Sequence, residues 1–392
     1  MPDSIVIVAA RRTPIGAFQG CLTPLGAPQL ASAAIRGAFS GLGELGREVD
    51  EAVFGCCLMA GLKQAPARQA VLGAGLPDSV PATTLTKMCG SGMKATMLVH
   101  DMLLAGSCSV GLAGGMESMS NAPYVLTRAR SGYRLGHGQA FDHMFLDGLE
   151  DAYEGKLMGY FADLAAAEFG IARERQDAYA AESVRRAQHA VASGAFRDEI
   201  VPLAIPGRQG EQIISDDETP GTCDIAKIPK LKPAFTKDGT ITPANASSIS
   251  DGAAALVMMR ESEALRRGIT PLARILSHAT HAQQPGRFPT APAPAIRRAL
   301  ERAGWGVGDV DLFEINEAFA VVTLLAMDEL GLPAEVVNVN GGACAMGHPV
   351  GATGARILVT LIHALRARGL RRGLASLCIG GGEATAMAIE VL

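Results

Sequence analysis

Residues 89–118, CGSGMKATMLVHDMLLAGSCSVGLAGGMES, run through a loop of small residues, a helix-length apolar stretch with Lys94 early in it, a strand-like run, and a Gly-Gly pair followed by Glu117. Residues 350–385, VGATGARILVTLIHALRARGLRRGLASLCIGGGEAT, repeat that plan, with Arg356 in the place of the lysine and Glu383 after the glycines. A second matching pair lies outside the first. EVDEAVFGCCLMAG with ARQAVLGAGLP (48–77) and DVDLFEINEAFAVVTLLAMDELGLP (309–333) each read as a polar lead, an apolar strand, a turn, a helix and a Gly-Leu-Pro stop. Self-similarity at two stations in the same order implies an internal duplication. The fold class expected is α/β: two similar halves in which strands alternate with helices, as in mostly parallel, helix-covered sheets.

The halves do not account for the whole chain. Residues 119–249 have a different texture, opening with the loop-like SNAPYVLTRARSGYRLGHGQAF and closing with PGRQGEQIISDDETPGTCDIAKIPKLKPAF, both rich in turn formers. Between these, Ala180, Val184, Ala187 and Val191 recur at spacings that put them on one face of a helix, opposite Glu182, Arg185, Arg186 and His189. The expected division is a first half of residues 1–118 with 250–270, an inserted loop domain of 119–249, and a second half of 271–392. A chain of 392 residues suits two or three units, at roughly 100–200 residues each.

Composition narrows the function. With 48% hydrophobic and 19% charged residues the chain is globular rather than disordered or fibrous, and its net charge of -4 argues against a phosphate-backbone binder. The N-terminal MPDSIVIVAARRTPIG has neither the basic nor the long apolar region of a secretory signal, and no run of about 18 apolar residues occurs, so no membrane contact and a cytoplasmic location are expected. Eight cysteines, at 21, 56, 57, 89, 108, 223, 344 and 378, are dispersed without CxxC pairs, which fits reduced thiols better than a disulfide framework or zinc; no metal is expected.

Four short stretches hold residue types that can act as nucleophile, base or anion stabiliser. In KMCGSGMKA (87–95), Cys89 precedes what reads as a helix start, where unsatisfied N–H groups and the helix dipole favour a thiolate, while Gly90 and Gly92 leave room for a substrate carbonyl. In GGACAMGHPVGATGAR (341–356), His348 lies between Gly347 and Pro349, placed to take a thiol proton or, more plainly, to satisfy its loop. LCIGGGEATA supplies Cys378, absent from the corresponding AGGMES of the first half, followed by glycines whose N–H groups suit an anion. INEAFA (315–320) places Asn316 and Glu317 at a strand-to-helix junction, where Asn316 either caps the helix or positions a water or carbonyl.

Together and in this order these stretches resemble the thiolase family, and the similarity extends from RRTPIGAFQG through GGMESMSNAPYVL and NASSISDGAAALVM to the last strand. The resemblance implies a five-layered αβαβα core of two halves with a loop domain, assembled as a dimer or as a tetramer of dimers. It implies that Cys89 takes the acyl group, that His348 activates it, and that Cys378 moves a proton to and from the substrate α-carbon. One oxyanion hole would combine His348 with a water held by Asn316, and the other the N–H groups of Cys89 and Gly380. The reaction implied is condensation of two acetyl-CoA to acetoacetyl-CoA and CoA, or thiolysis of a short 3-ketoacyl-CoA, with coenzyme A as substrate and no cofactor.

By the same resemblance Ser247 meets the pantetheine arm, and Leu231, Phe235, Ala244, Ala318 and Phe319 line its tunnel. Lys227, Lys230, Lys232 or Arg208 would meet the CoA phosphates in place of an arginine some relatives carry. Where biosynthetic relatives have His before Met in the loop domain, this chain has Leu157 before Met158, a less polar acyl end. GRFPTAP, with Phe288 and Pro289, is similar to a branch that also accepts 2-methylacetoacetyl-CoA. Competing expectations are a decarboxylating β-ketoacyl condensing enzyme, a non-catalytic acyl-CoA or lipid binder, and a Cys89–Cys378 pair that closes a regulatory disulfide.

Overall fold

The computed structural model describes residues 3–207 and 210–392. Arg208, one of the cations considered for the CoA phosphates, lies outside the described residues. The first half supplies strands β1 (Ile5–Arg12), β2 (Gly16–Ala17), β3 (Glu51–Gly55), β4 (Ala82–Leu85) and β5 (Val110–Ser118), with helices α1 (Ala27–Phe39), α2 (Pro66–Gly73) and α3 (Ser91–Ala105). Next come two small hairpins, β6 (Tyr124–Val125) with β7 (Phe141–Asp142) and β8 (Leu203–Gly207) with β9 (Gly210–Ile214), and helices α4 (Met158–Glu168) and α5 (Arg173–Ser193). β10 (Ser250–Arg260) and α6 (Glu261–Arg266) return to the core. The second half holds β11 (Ala273–Ala282), α7 (Pro292–Ala303), β12 (Leu312–Ile315), α8 (Ala320–Leu330), α9 (Ala343–Met346), α10 (Val350–Arg368), β13 (Arg372–Ile379) and β14 (Glu383–Val391).

The sheet order β12-β13-β14-β11-β1-β10-β5-β3-β4 displays the duplication directly. Outward from the β1–β11 seam, β10, β5 and β3 on one side answer β14, β13 and β12 on the other. β1 and β11 even carry matching irregularities, register shifts at Ile7/Ala9 and at Ile275/Ser277. Among the described strands of the large sheet, pairing is parallel only for β3 with β4 and β5, and for β12 with β13; the other ladders are antiparallel, so the mostly parallel sheet expected from the sequence is a mixed one. The cause is local at β13–β14, where the turn Gly380–Gly382 is far too short for the crossover a parallel pair needs.

Alternation along the strands sorts side chains into layers. Ile5, Ile7, Leu256 and Met258 pack with α3 and α10, whereas Val6, Val8, Val257 and Met259 pack with α1 and α2. In the second half Met387 and Ile389 face α10 while Ala384 and Ala386 face α7. Helices, half-sheet, paired α3 and α10, half-sheet, helices: this is a five-layered αβαβα core. α10 is apolar enough to span a bilayer by composition, but 83% of that stretch is buried in this protein middle layer.

α3 and α10 touch almost backbone to backbone. A Cβ on Gly92 would stand 2.7 Å from the Ala355 nitrogen, and one on Gly354 would meet Met93 on the facing helix. A Cβ on Gly90 would run into Ile379. The space cleared by Gly90 and Gly92, expected to admit a substrate carbonyl, is therefore filled by protein: Gly92 serves the approach of the central helices, and Gly90 makes room for Ile379 of β13.

Of the strands between residues 119 and 249, none joins the large sheet among the described residues. α5 lays Ala180, Val184 and Ala187 onto the second half, with Val191 half-buried at its end, as the periodicity predicts.

Candidate active site

Cys89 and His348 hold equivalent places in the two halves. Gly90 caps α3 and Pro349 caps α10, so each residue immediately precedes the cap of one of the paired central helices. Cys89 packs in one cluster with Val350, the first residue of α10. The turn that presents it is strained: Met88 has φ of 46°, in the left-handed region that a bulky residue rarely occupies. Local hydrogen bonds hold it there, with Ser91 Oγ and Cys57 Sγ both donating to the Met88 carbonyl, at 2.7 and 3.2 Å, and Lys87 N–H donating to Ser91 Oγ at 2.7 Å.

Burial pushes the Cys89 thiol up to about 11, while hydrogen bonds from the N–H groups of Gly380 and of Cys89 itself pull the other way. The helix start was expected to favour a thiolate; in the folded protein desolvation outweighs it, and the resting group is the thiol. Gly380 is thereby placed beside the sulfur. Cys378, 1% exposed near the end of β13, is also raised, first by burial and then by the neighbouring Cys89.

His348 is buried, its backbone N–H donating to the Ser248 carbonyl at 3.1 Å. Its Nδ1 lies 2.7 Å from Thr353 Oγ1, and that hydroxyl donates to the Pro349 carbonyl at 2.9 Å. A hydroxyl has a single hydrogen, so Nδ1–H must be the donor to Thr353, which leaves Nε2 as the basic nitrogen. Nε2 is buried without a partner among the described residues, and burial, with Arg356 nearby, holds the imidazole down to about 3.

Asn316 is 1% exposed, and neither its Oδ1 nor its Nδ2 has a partner among the described residues. It does not cap α8, whose cap is Phe319, so the capping alternative is excluded. A buried amide with both ends free is rare enough to call for a ligand. The neighbouring Glu317 does the structural work of this loop, accepting from Tyr179, Ser183, Asn338 and the Cys344 N–H at 2.7–3.0 Å. The segment 245–248 then ties the loop to His348: Asn245 O accepts from Ala320 N–H, Ser247 N–H donates to Ala318 O, and Ser248 O holds His348.

Among the residues expected to line the acyl and pantetheine path, Phe235, Ala318, Phe319, Phe288, Met158 and Cys378 share one apolar cluster. Phe319 meets Phe235 edge to face at 6.0 Å and Phe288 at 6.3 Å, and Met158 Cε would be 3.8 Å from a Cβ on Gly380. Leu157 caps α4 beside it, and Ser247 and Ala244 are half-buried on the segment that pairs with Phe319. Leu231 and Lys227 are not among that cluster. Leu231 is half-buried with its carbonyl bonded to Arg173, and Lys227 is exposed, paired with Asp224. Lys230 and Lys232 are exposed as well.

Several working residues were given no role by the sequence. Glu117, fully buried, accepts from the N–H groups of Cys57 and Leu58 and from Gly351 in the first turn of α10, stitching the two halves behind Cys89. Its repetition after Gly-Gly at Glu383 was the available signal. Thr353 and Ser248 carried no such signal, since a hydroxyl in a glycine-rich loop is ordinary.

Comparison with known proteins agrees with this geometry. The model of the thiolase N-terminal domain matches residues 5–262 and that of the thiolase C-terminal domain residues 269–391. An acetyl-CoA acetyltransferase of Escherichia coli is 50% identical over 389 residues, 99% of each chain, and one of Pseudomonas aeruginosa is 48% identical over 390 residues, again 99% of each. The crystal structure of the Bacillus anthracis acetyl-CoA acetyltransferase superposes with a TM-score of 0.97 at 43% identity, over 100% of this chain and 99% of that one. With both halves matched across nearly its full length, the chain belongs to the thiolase family.

Proposed function

We propose that this thiolase is an acetyl-CoA C-acetyltransferase that condenses two acetyl-CoA, and cleaves short 3-ketoacyl-CoA in reverse, through an acyl-Cys89 intermediate. The observation that carries the assignment is a pair of neighbouring thiols, half-buried Cys89 and buried Cys378, on a scaffold whose paired helix starts present Cys89 and His348 at equivalent places, the histidine with its basic nitrogen fixed. A metal or redox centre is not needed for any step.

The chemistry follows from the resting protonation states. Nε2 of His348 takes the Cys89 proton as the sulfur attacks the thioester carbonyl, and the oxyanion forms opposite the new imidazolium. Burial penalises either charge alone, so the pair forms only with substrate in place. Collapse expels CoA as its thiolate, which takes the proton of Cys378. The Cys378 thiolate removes the α-proton of a second acetyl-CoA, and the carbanion attacks acetyl-Cys89. Cys89 leaves as a thiolate and recovers its proton from His348, so every proton is returned. The N–H groups of Cys89 and Gly380 hold the oxyanion at the acyl-enzyme, and Asn316 positions the water that completes the other hole with His348.

The apolar wall of Met158, Phe288 and Phe319 fits a short acyl group and supports tolerance for a 2-methyl branch. Ser247 meets the pantetheine arm. The assembly is a dimer or tetramer. Loss of acetoacetyl-CoA absorbance in the presence of CoA, absent in Cys89→Ala, tests the assignment; acyl-CoA binding without turnover in the unaltered protein contradicts it.

A further inference from the structure

We propose that His100, Asp101 and His278 form a divalent transition-metal site of the zinc class that staples α3 of the first half to β11 of the second. One ligand atom from each of the three lies within 4.8 Å of the other two. Two imidazole nitrogens, His100 Nδ1 and His278 Nε2, converge on the same carboxylate oxygen, Asp101 Oδ1, at 3.1 and 2.9 Å. Ligands about 2.0–2.2 Å from a tetrahedral zinc stand roughly 3.4 Å apart, so a small outward movement accommodates the ion.

The donor set, two imidazoles and a carboxylate, is the one zinc, nickel and copper prefer over magnesium or calcium. The rings are already oriented, edge to face with centroids 5.0 Å apart at 88°. His100 is buried while the Asp101 side chain is 53% exposed, giving an anchored ligand and an open door to solvent. His278 is further fixed because its carbonyl accepts from Arg302 at 2.7 Å.

The position separates this site from the acyl chemistry. At about 1.5 Å per helical residue, His100 lies roughly 15 Å along α3 from its cap, at the opposite end of the helix from Cys89. The ion's effect is therefore on the union of the two halves, not on a reaction step.

The test compares metal-stripped protein with and without Zn²⁺, using Mg²⁺ as the control ion, in the unaltered chain, His278→Gln and Asp101→Asn. Zinc held by the cysteines is common to all three and cancels. The expected result is a rise in Tm of about 2–4 °C at a hundredfold excess over Kd, confined to the unaltered chain and absent with Mg²⁺. Co²⁺ should give the visible absorption of a low-coordinate site, lost in both variants, with acyl transfer unchanged. Equal Tm shifts in all three proteins, or none in the unaltered chain, would overturn the proposal; Asp101→Asn, at a half-exposed position, keeps the comparison open should His278→Gln fold poorly.

Discussion

His348 Nδ1 and Thr353 Oγ1 stand 2.7 Å apart, one turn into α10, and the hydroxyl hydrogen is already given to the Pro349 carbonyl. The contact fixes which imidazole nitrogen carries the proton and leaves Nε2 as the basic one. Thr353→Val removes the acceptor and frees the tautomer, so kcat should fall by about 10–100-fold, with Thr353→Ser recovering most of it, whereas His348→Ala should lose about 10²–10⁴-fold, the usual contribution of a general base. Equal rates for Thr353→Val and the unaltered enzyme would remove Thr353 from the account.

The proposed mechanism gives Cys378 the α-proton and no part in the attack of Cys89. Cys378→Ala should still take an acetyl group from acetyl-CoA while losing condensation by at least about 10³-fold. Rapid-quench detection of acetyl-enzyme separates the two steps. Condensation surviving in this variant would assign the proton to another group.

Desolvation sets the resting state of Cys89. With its thiol pushed up to about 11, the thiolate fraction at pH 8 is about one part in a thousand, against roughly a quarter for an ordinary cysteine. Because the deprotonated form is the reactive one, alkylation of Cys89 by iodoacetamide in the free enzyme should climb steadily from pH 7 to 10. A plateau at or below pH 8 would show that the two N–H hydrogen bonds outweigh burial.

Gly92 lets the two central helices touch. A methyl group there stands 2.7 Å from the Ala355 nitrogen, a backbone atom that cannot swing aside, so Gly92→Ala should cost about 1–3 kcal/mol in stability and displace Cys89 from its partners. Gly221→Ala, which meets nothing within 4 Å, serves as the control in thermal unfolding. Indistinguishable Tm values for the two would contradict the close packing of α3 on α10.

The repeats at 89–118 and 350–385 made the halves and the paired helices legible, because a duplicated pattern of loop, helix and strand is written in local residue types; Cys89, His348 and Cys378 stood out instead through their glycine-rich surroundings, with His348 just before the second copy and Cys378 absent from the first. Strand direction was not, since nothing local distinguishes a hairpin-fed β14 from a crossover-fed strand until the three-glycine turn is placed in the sheet. The glycines beside Cys89 misled for a related reason: their free space is filled by Ala355 and Ile379, hundreds of residues away. Asn316 was visible only as one of two alternatives, and the long-range network around Glu317 decided between them by putting the cap at Phe319. Leu231 and Lys227 rested on resemblance alone; Leu231 is half-buried with its carbonyl held by Arg173, and Lys227 is exposed and paired with Asp224.

The most direct test is mass spectrometry of the enzyme mixed briefly with acetyl-CoA and acid-quenched. The account predicts one added acetyl group, on the peptide bearing Cys89, lost on addition of CoA and absent from Cys89→Ala. An acetyl group on Cys378 or Cys57 instead, or turnover of acetoacetyl-CoA with no acetyl-enzyme at any time, would contradict it.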